Sequence, residues 1–237
     1  MLYLVMPAIN SRKIYLENSF YHIYNRGVEK RKIFEDDQDY GVYLNYLKEY
    51  LSFRDIDLLR QELINSGKNW KEKKQLIRSL NINNFYEDLE MVAYSLMPNH
   101  FHFLVYQKDG ETIDKFLNSL NTRYVMYFNK KNNRVGHLFQ GVYKAVRITS
   151  QKQLVYVTAY IHRNIPKKSR LLNLDTLLKY SSSLADYLGL KYTNWLHAER
   201  ILDSFFSKNG KNSYQDFILS SDINNKINAV SSLLIDY

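Results

Sequence analysis

Two histidines stand two residues apart in the run His100-Phe101-His102-Phe103-Leu104-Val105, which is apolar, aromatic and β-branched enough to read as a strand. Side chains alternate along a strand, so this spacing sends both imidazoles to one face and both phenylalanines to the other. With Cβ atoms roughly 7 Å apart, the two rings can converge on one divalent cation. An isolated His-x-His is more often a pair of strand histidines with satisfied hydrogen bonds, so the pair needs company before it means chemistry.

That company comes from residues 150–165. On a helix, Leu154, Val157, Ile161 and Ile165 share the face that must pack on a sheet. Tyr156, Tyr160, Arg163 and Asn164 gather on another face, and His162 points away from them. Tyr160 and Asn164 are then one turn apart, which would let an amide oxygen enter a metal shell beside a phenol aimed at the same spot. A lone helical tyrosine is usually structural, and Asn164 beside Pro166 reads equally well as a helix-end residue. A phenol with a pKa of about 10 is a weak nucleophile at neutral pH and needs a cation or base nearby.

The elements that must position these groups are legible in outline. Residues 19–25 are dense in β-formers and stop at Arg26-Gly27, giving a first strand. Tyr40, Tyr43, Leu44, Leu47 and Leu51 recur at helical spacing over 38–53. Residues 54–88 are charged and suggest two short amphipathic helices broken near Ser66-Gly67, an insertion on a core fold. Residues 91–97 and 100–107 read as antiparallel strands parted at Pro98-Asn99, the centre of a sheet. Thr112 can cap a helix running to about Lys130. Residues 137–148 read as a further strand, and Ser150 with Gln153 has capping-box spacing for a helix that Pro166 closes. Helical patterns follow around 174–188, 195–207 and 213–219. The expected organisation is an N-terminal segment (1–18), a catalytic domain over 19–170 with its insertion at about 54–88, and a helical C-terminal extension over 171–237.

Composition narrows the partner. Among 237 residues, 33 are Lys or Arg and 24 Asp or Glu, a net charge of +9 that favours a polyanion. The 21 tyrosines and 12 phenylalanines, interleaved with cations, suit stacking on unpaired bases, although tyrosines also fill cores. The chain has no cysteine, which excludes disulfides and thiolate metal sites and fits a reducing compartment; a cytoplasmic location is expected. No run of about 18 apolar residues suggests a membrane span.

Four ordered blocks carry a family resemblance: Phe20-Tyr21-His22-Ile23-Tyr24-Asn25-Arg26-Gly27, the run from Ser95 through Pro98-Asn99-His100-Phe101-His102 to Val105, Gly136-His137-Leu138-Phe139-Gln140-Gly141-Val142-Tyr143-Lys144, and Tyr160-Ile161-His162-Arg163-Asn164. In this order they resemble the REP-associated tyrosine transposases, a group of single-tyrosine HUH enzymes related to the IS200/IS605 type, over roughly residues 19–190. The resemblance implies a ferredoxin-like α/β sandwich, an α+β fold whose central antiparallel sheet carries the His-x-His strand. It implies His100 and His102 as a metal-binding pair, Tyr160 as the nucleophile and Asn164 as a further polar ligand. The family usually has Asn-Pro-Val after the tyrosine; here the order is Asn164-Ile165-Pro166, with proline one place later.

The chemistry implied is a metal-dependent nicking and joining reaction that forms a 5′-phosphotyrosine and a free 3′-hydroxyl. Oxygen-rich completion of the shell favours Mg²⁺ or Mn²⁺. A helix-borne tyrosine beside a sheet-borne metal lines up with one phosphate only if the strand can bend, which points to single-stranded DNA. The resemblance adds a REP-like hairpin as the recognised feature, with a homodimer left open. Tyr156, one turn before Tyr160, is a candidate second tyrosine. His22 is expected in a structural or DNA-contacting role, and His137 has no assigned one. Arg26, Arg123, Lys144, Arg147 and Arg163 are candidate phosphate contacts, with a solvated charged face as the bland reading of each. The rival functions are a domesticated hairpin DNA- or RNA-binding protein without cleavage, and a relaxase or replication-initiator-like nickase. The short chain and the absence of a glycine-rich phosphate loop weigh against the last.

Overall fold

The computed structural model describes residues 15–65, 67–164, 173–206, 212–220 and 223. The expectations for residues 1–14, Ile165 and Pro166 lie outside them. In chain order the elements are β1 (Ser19–Arg26), α1 (Asp37–Leu51), α2 (Ile56–Ile64), α3 (Trp70–Asn81), β2 (Leu89–Met97), β3 (His100–Gln107), α4 (Thr112–Lys131), β4 (Lys144–Ile148), α5 (Gln151–Arg163), α6 (Leu174–Leu178), β5 (Ser181–Ser182), α7 (Leu184–Tyr187), α8 (Glu199–Phe206) and α9 (Asn212–Leu219). The strands form one sheet in the order β4-β1-β3-β2-β5, antiparallel at every pairing. The first four strands with α1 and α4 have the expected ferredoxin-like order, and β5 is an added edge.

Alternation along β3 decides what each face of the sheet holds. Phe101 and Phe103 stack at 4.6 Å and enter a core with Ile23, Tyr43 and Leu47 on the α1 and α4 side. Leu104 faces the other way, into a second core with Leu154, Val157 and Ile161 of α5. Every residue of β2 is buried, because helices cover both sides of it. Burial of so many large side chains on two faces is the main force holding the layers together.

Most of the C-terminal extension belongs to that second core. Tyr187, Ile201, Tyr214 and Ile218 are buried with α5, and Arg200 clamps Glu90 of β2 through two hydrogen bonds of 2.7 and 2.9 Å. Trp195 lies on the other face, in the first core, where it stacks on Tyr94 at 5.6 Å. The extension therefore covers the sheet face that carries α5 and also reaches the α1 and α4 side. Among the described residues no helix is long and apolar enough to cross a membrane.

Three local expectations need correction. Thr112 is the first residue of α4 and not its cap; the buried Gln107 side chain accepts from Ile113 N instead, so the helix start is capped from β3. Only Lys144–Ile148 of the expected 137–148 strand is extended, since Gly136 and Gly141 turn the chain at φ 89° and 70°. The 174–188 helix is broken by β5, where Ser183 Oγ accepts from Tyr94 N at 2.9 Å and ties the chain to the sheet edge. The Ser150 cap forms as expected, accepting from Gln153 N at 3.2 Å. The return arm is displaced by one residue, with Gln153 Oε1 accepting from Thr149 N at 2.9 Å.

Candidate active site

The strand pairings place His22, Tyr24 and Arg26 of β1 on the same sheet face as His102 and His100 of β3, because Tyr24 pairs with His102 and Arg26 with His100. The His22 and His102 rings stack at 5.1 Å, and the Tyr24 ring lies 5.6 Å from His102. Tyr160 of α5 comes down on this row edge-on, 5.4 Å from His102 and 5.9 Å from His22. The buried Leu154, Val157 and Ile161 set the rotation of α5 that points Tyr160 there.

Hydrogen bonds fix how each imidazole is turned. His100 Nδ1 lies 2.7 Å from Asn99 Oδ1, and its Nε2 lies 3.2 Å from Asn164 Nδ2 at the end of α5. An amide oxygen can only accept, so Nδ1 carries the proton and Nε2 presents its lone pair toward Asn164. His102 Nδ1 pairs with His22 Nε2 at 2.9 Å. Asn99 is held in turn, its carbonyl accepting from Gly27 N at 2.8 Å and its amide donating to Lys30 O at 3.3 Å. Gly27 is needed at this crossing, because a Cβ there would lie 2.2 Å from Arg31 O. Sequence reasoning read Asn99 only as a turn residue. The signal available was its position between β2 and the histidine that β3 begins with.

Electrostatics keep the two histidines neutral. Burial lowers the His100 pKa; the Asn164 contact opposes this and the nearby Arg26 charge adds to it. Burial pushes His102 well below the usual imidazole range, with His22 and His100 contributing. Neutral imidazoles are what a metal requires. Two buried hydroxyls near this row, Tyr160 and Ser95, find no hydrogen-bond partner among the described residues. Ser95 pairs directly with His102 across β2 and β3. Buried polar atoms of this kind call for a further group in the site. Among the described residues no three His, Asp or Glu side chains are placed to hold one metal ion together. A cation here would be met by two imidazoles, the Asn164 amide oxygen after a half-turn of that side chain, and oxygens from outside the protein.

The other expected site residues separate. Arg26 lies on the site face, donating to Gln140 Oε1 at 2.5 Å. Lys144 is exposed on that face with its Nζ 5.8 Å from the Tyr24 ring centre. Arg147 pairs with Tyr21 and so lies on the opposite face. Arg123 does not face the site either: it forms an ion pair with Glu49 at 2.5 Å and stacks on Tyr46 at 3.7 Å, between α4 and α1. Arg163 donates to Ile218 O and Ser220 O at 3.1 and 3.0 Å, a tie to the end of α9. Tyr156 stacks on Phe217 at 6.1 Å. His162 points away as expected, bonded to Tyr214 Oη at 2.6 Å and Ser183 Oγ at 2.7 Å.

Residues 60–164 match the family model described as IS200-like transposase. Among solved structures, one similar chain is a REP-associated tyrosine transposase bound to a REP hairpin, at 11% identity and a TM-score of 0.48, covering 78% of this chain and 90% of that one. Another is a protein of Deinococcus radiodurans R1 described as a candidate transposase, at 14% identity and a TM-score of 0.34, covering 64% of this chain and 95% of that one. No curated protein matches the sequence.

Proposed function

We propose that this chain, whose residues 60–164 match the family model described as IS200-like transposase, cuts and rejoins single-stranded DNA through Tyr160. The observation that carries this reading is the Tyr160 hydroxyl, buried with no hydrogen-bond partner among the described residues on a ring that sits edge-on to His102. A tyrosine there for packing alone would leave a polar atom buried at a cost.

In the reaction, Tyr160 Oη bonds to the scissile phosphorus and loses its proton, while the 3′ oxygen departs and takes one up. The products are a 5′-phosphotyrosine and a 3′-hydroxyl. Because the phosphodiester energy stays in the new bond, a second 3′-hydroxyl can reverse the step and be joined. His100 and His102, with Asn164, would hold a Mg²⁺ or Mn²⁺ ion, which when bound polarises the scissile phosphate and neutralises charge on its oxygens. Asn99 and His22 keep the two imidazoles turned to receive it. Arg26 and Lys144 flank the row and suit phosphate contact. The net charge of +9 supports a DNA partner, and the four sequence blocks support a hairpin as the feature recognised.

The test is incubation with a labelled single strand bearing a hairpin, followed by denaturing electrophoresis. Wild type is expected to give a divalent-cation-dependent covalent adduct that Tyr160→Phe lacks. Binding without any adduct under those conditions would contradict the reading.

A further inference from the structure

The insertion carries a concentration of exposed apolar side chains, Leu58, Ile64, Trp70 and Ile77, with Phe53 exposed just before it. Trp70, at the first turn of α3, is 75% exposed, whereas the chain's other tryptophan, Trp195, is 5% exposed and stacked on Tyr94. At 100° per residue, Trp70, Lys71, Lys74, Ile77 and Arg78 fall within about 120° of arc, and all five are exposed. Lys74 Nζ sits 4.9 Å from the Trp70 ring centre. Leu76 and Leu80 lie on the other side of the helix and are partly buried.

The charges on this stripe differ from those around it. Lys68 pairs with Glu62 and Arg60 with Asp57, so these cations are neutralised by carboxylates of α2. Lys71, Lys74 and Arg78 have no carboxylate partner among the described residues. Glu72, the acidic residue of α3, is turned to the helix start, where it accepts from Asn69 N at 2.7 Å in a capping box. The stripe is therefore cationic and aromatic without a compensating anion. From Lys71 to Arg78 the helix rises about 10 Å, long enough for its cations to meet successive phosphates of one strand.

We infer that the outward stripe of α3 is a second DNA-binding site, in which Lys71, Lys74 and Arg78 hold backbone phosphates and Trp70 stacks on an unpaired base. This rests on the reading of the protein as a DNA-acting enzyme, but the site is separate from Tyr160. The insertion leaves α1 at Leu51 and re-enters the sheet at Leu89, which pairs with Gln107, the end of β3 away from His100. The eight residues of β3 put its two ends roughly 25 Å apart. The strand held by α3 is thus flanking DNA, several nucleotides from the phosphate that is cut.

The experiment is a titration of the full chain with a hairpin oligonucleotide carrying a long single-stranded flank, following tryptophan fluorescence at several salt concentrations. Stacking on Trp70 is expected to quench the emission of wild type, and Trp70→Phe should lose most of that quenching. Trp70→Ala should weaken binding roughly 5- to 100-fold. The triple variant Lys71→Gln, Lys74→Gln, Arg78→Gln should lower the slope of log affinity against log salt by about 2, and Arg60→Gln with Lys68→Gln should leave it unchanged. Covalent adduct formation with a short-flanked strand should survive in all of them. An adduct and tight binding with no quenching and an unchanged salt slope in the triple variant would overturn the second site while leaving the Tyr160 reading intact. Failure of wild type to bind the oligonucleotide at all would overturn both. If the variants bind DNA normally but sediment differently from wild type, the stripe is a protein-docking face and the inference is wrong.

Discussion

Asn99 Oδ1 lies 2.7 Å from His100 Nδ1, so the turn joining the two central strands decides which nitrogen of that imidazole faces the helix carrying Tyr160. The same turn is gripped by Gly27 and Lys30. The first strand, the central hairpin and α5 thus meet at one ring.

From this, Asn99→Leu should lower Mn²⁺ affinity 10- to 100-fold, the usual cost of losing a partner that orients a ligand. Asn99→Asp keeps an acceptor at Nδ1 and should retain most of the affinity. Calorimetric titration of Mn²⁺ without DNA reads this directly, and unchanged affinity in Asn99→Leu would count against the metal role of His100. His22→Phe should act similarly through His102, because it keeps the ring packing and removes the 2.9 Å contact to Nδ1.

Much of this arrangement was legible in the sequence, and the parts that were not share a cause. Alternation of His100, Phe101, His102 and Phe103 assigns each side chain its face of the sheet, and the structure puts both phenylalanines in the core under α1 and α4. Helical spacing likewise put Tyr160 and Asn164 together, and Asn164 reaches His100. Such regularities are local. What escaped depends on contacts between distant segments: Gln107 capping α4, Ser183 binding Tyr94 N, and His22 turning His102. Charge was the poorest guide, since Arg123 and Arg163 are held by groups far away in sequence.

The sorting of cations by face leads to a second prediction. Arg26→Gln and Lys144→Gln should each weaken DNA binding and reduce the salt slope by roughly 0.7 to 0.9, one phosphate contact apiece. Arg147→Gln, on the far face of the sheet, should leave cleavage unchanged. Equal losses in all three would mean that the strand does not follow the His100 face.

A third prediction concerns acid stability. Burial lowers the pKa of His162 to about 3 in the folded protein, against about 6.5 unfolded. The neutral ring therefore stabilises the fold fully above about pH 6.5. As pH falls below that value the unfolded chain takes up a proton that the folded one refuses, and stability drops by about 1.4 kcal/mol per pH unit. His162→Gln should be less steep than wild type between about pH 6 and 4 in urea unfolding. Identical slopes would show that His162 is not buried neutral against Tyr214 and Ser183.

The central claim is that one tyrosine attacks the DNA, and peptide mapping of the covalent adduct by mass spectrometry tests it most directly. After nuclease digestion, the residual nucleotide mass should sit on Tyr160 alone, with Tyr156→Phe giving adduct at close to the wild-type yield because Tyr156 packs on Phe217. Nucleotide mass on Tyr156, or an adduct persisting undiminished in Tyr160→Phe, would contradict the account.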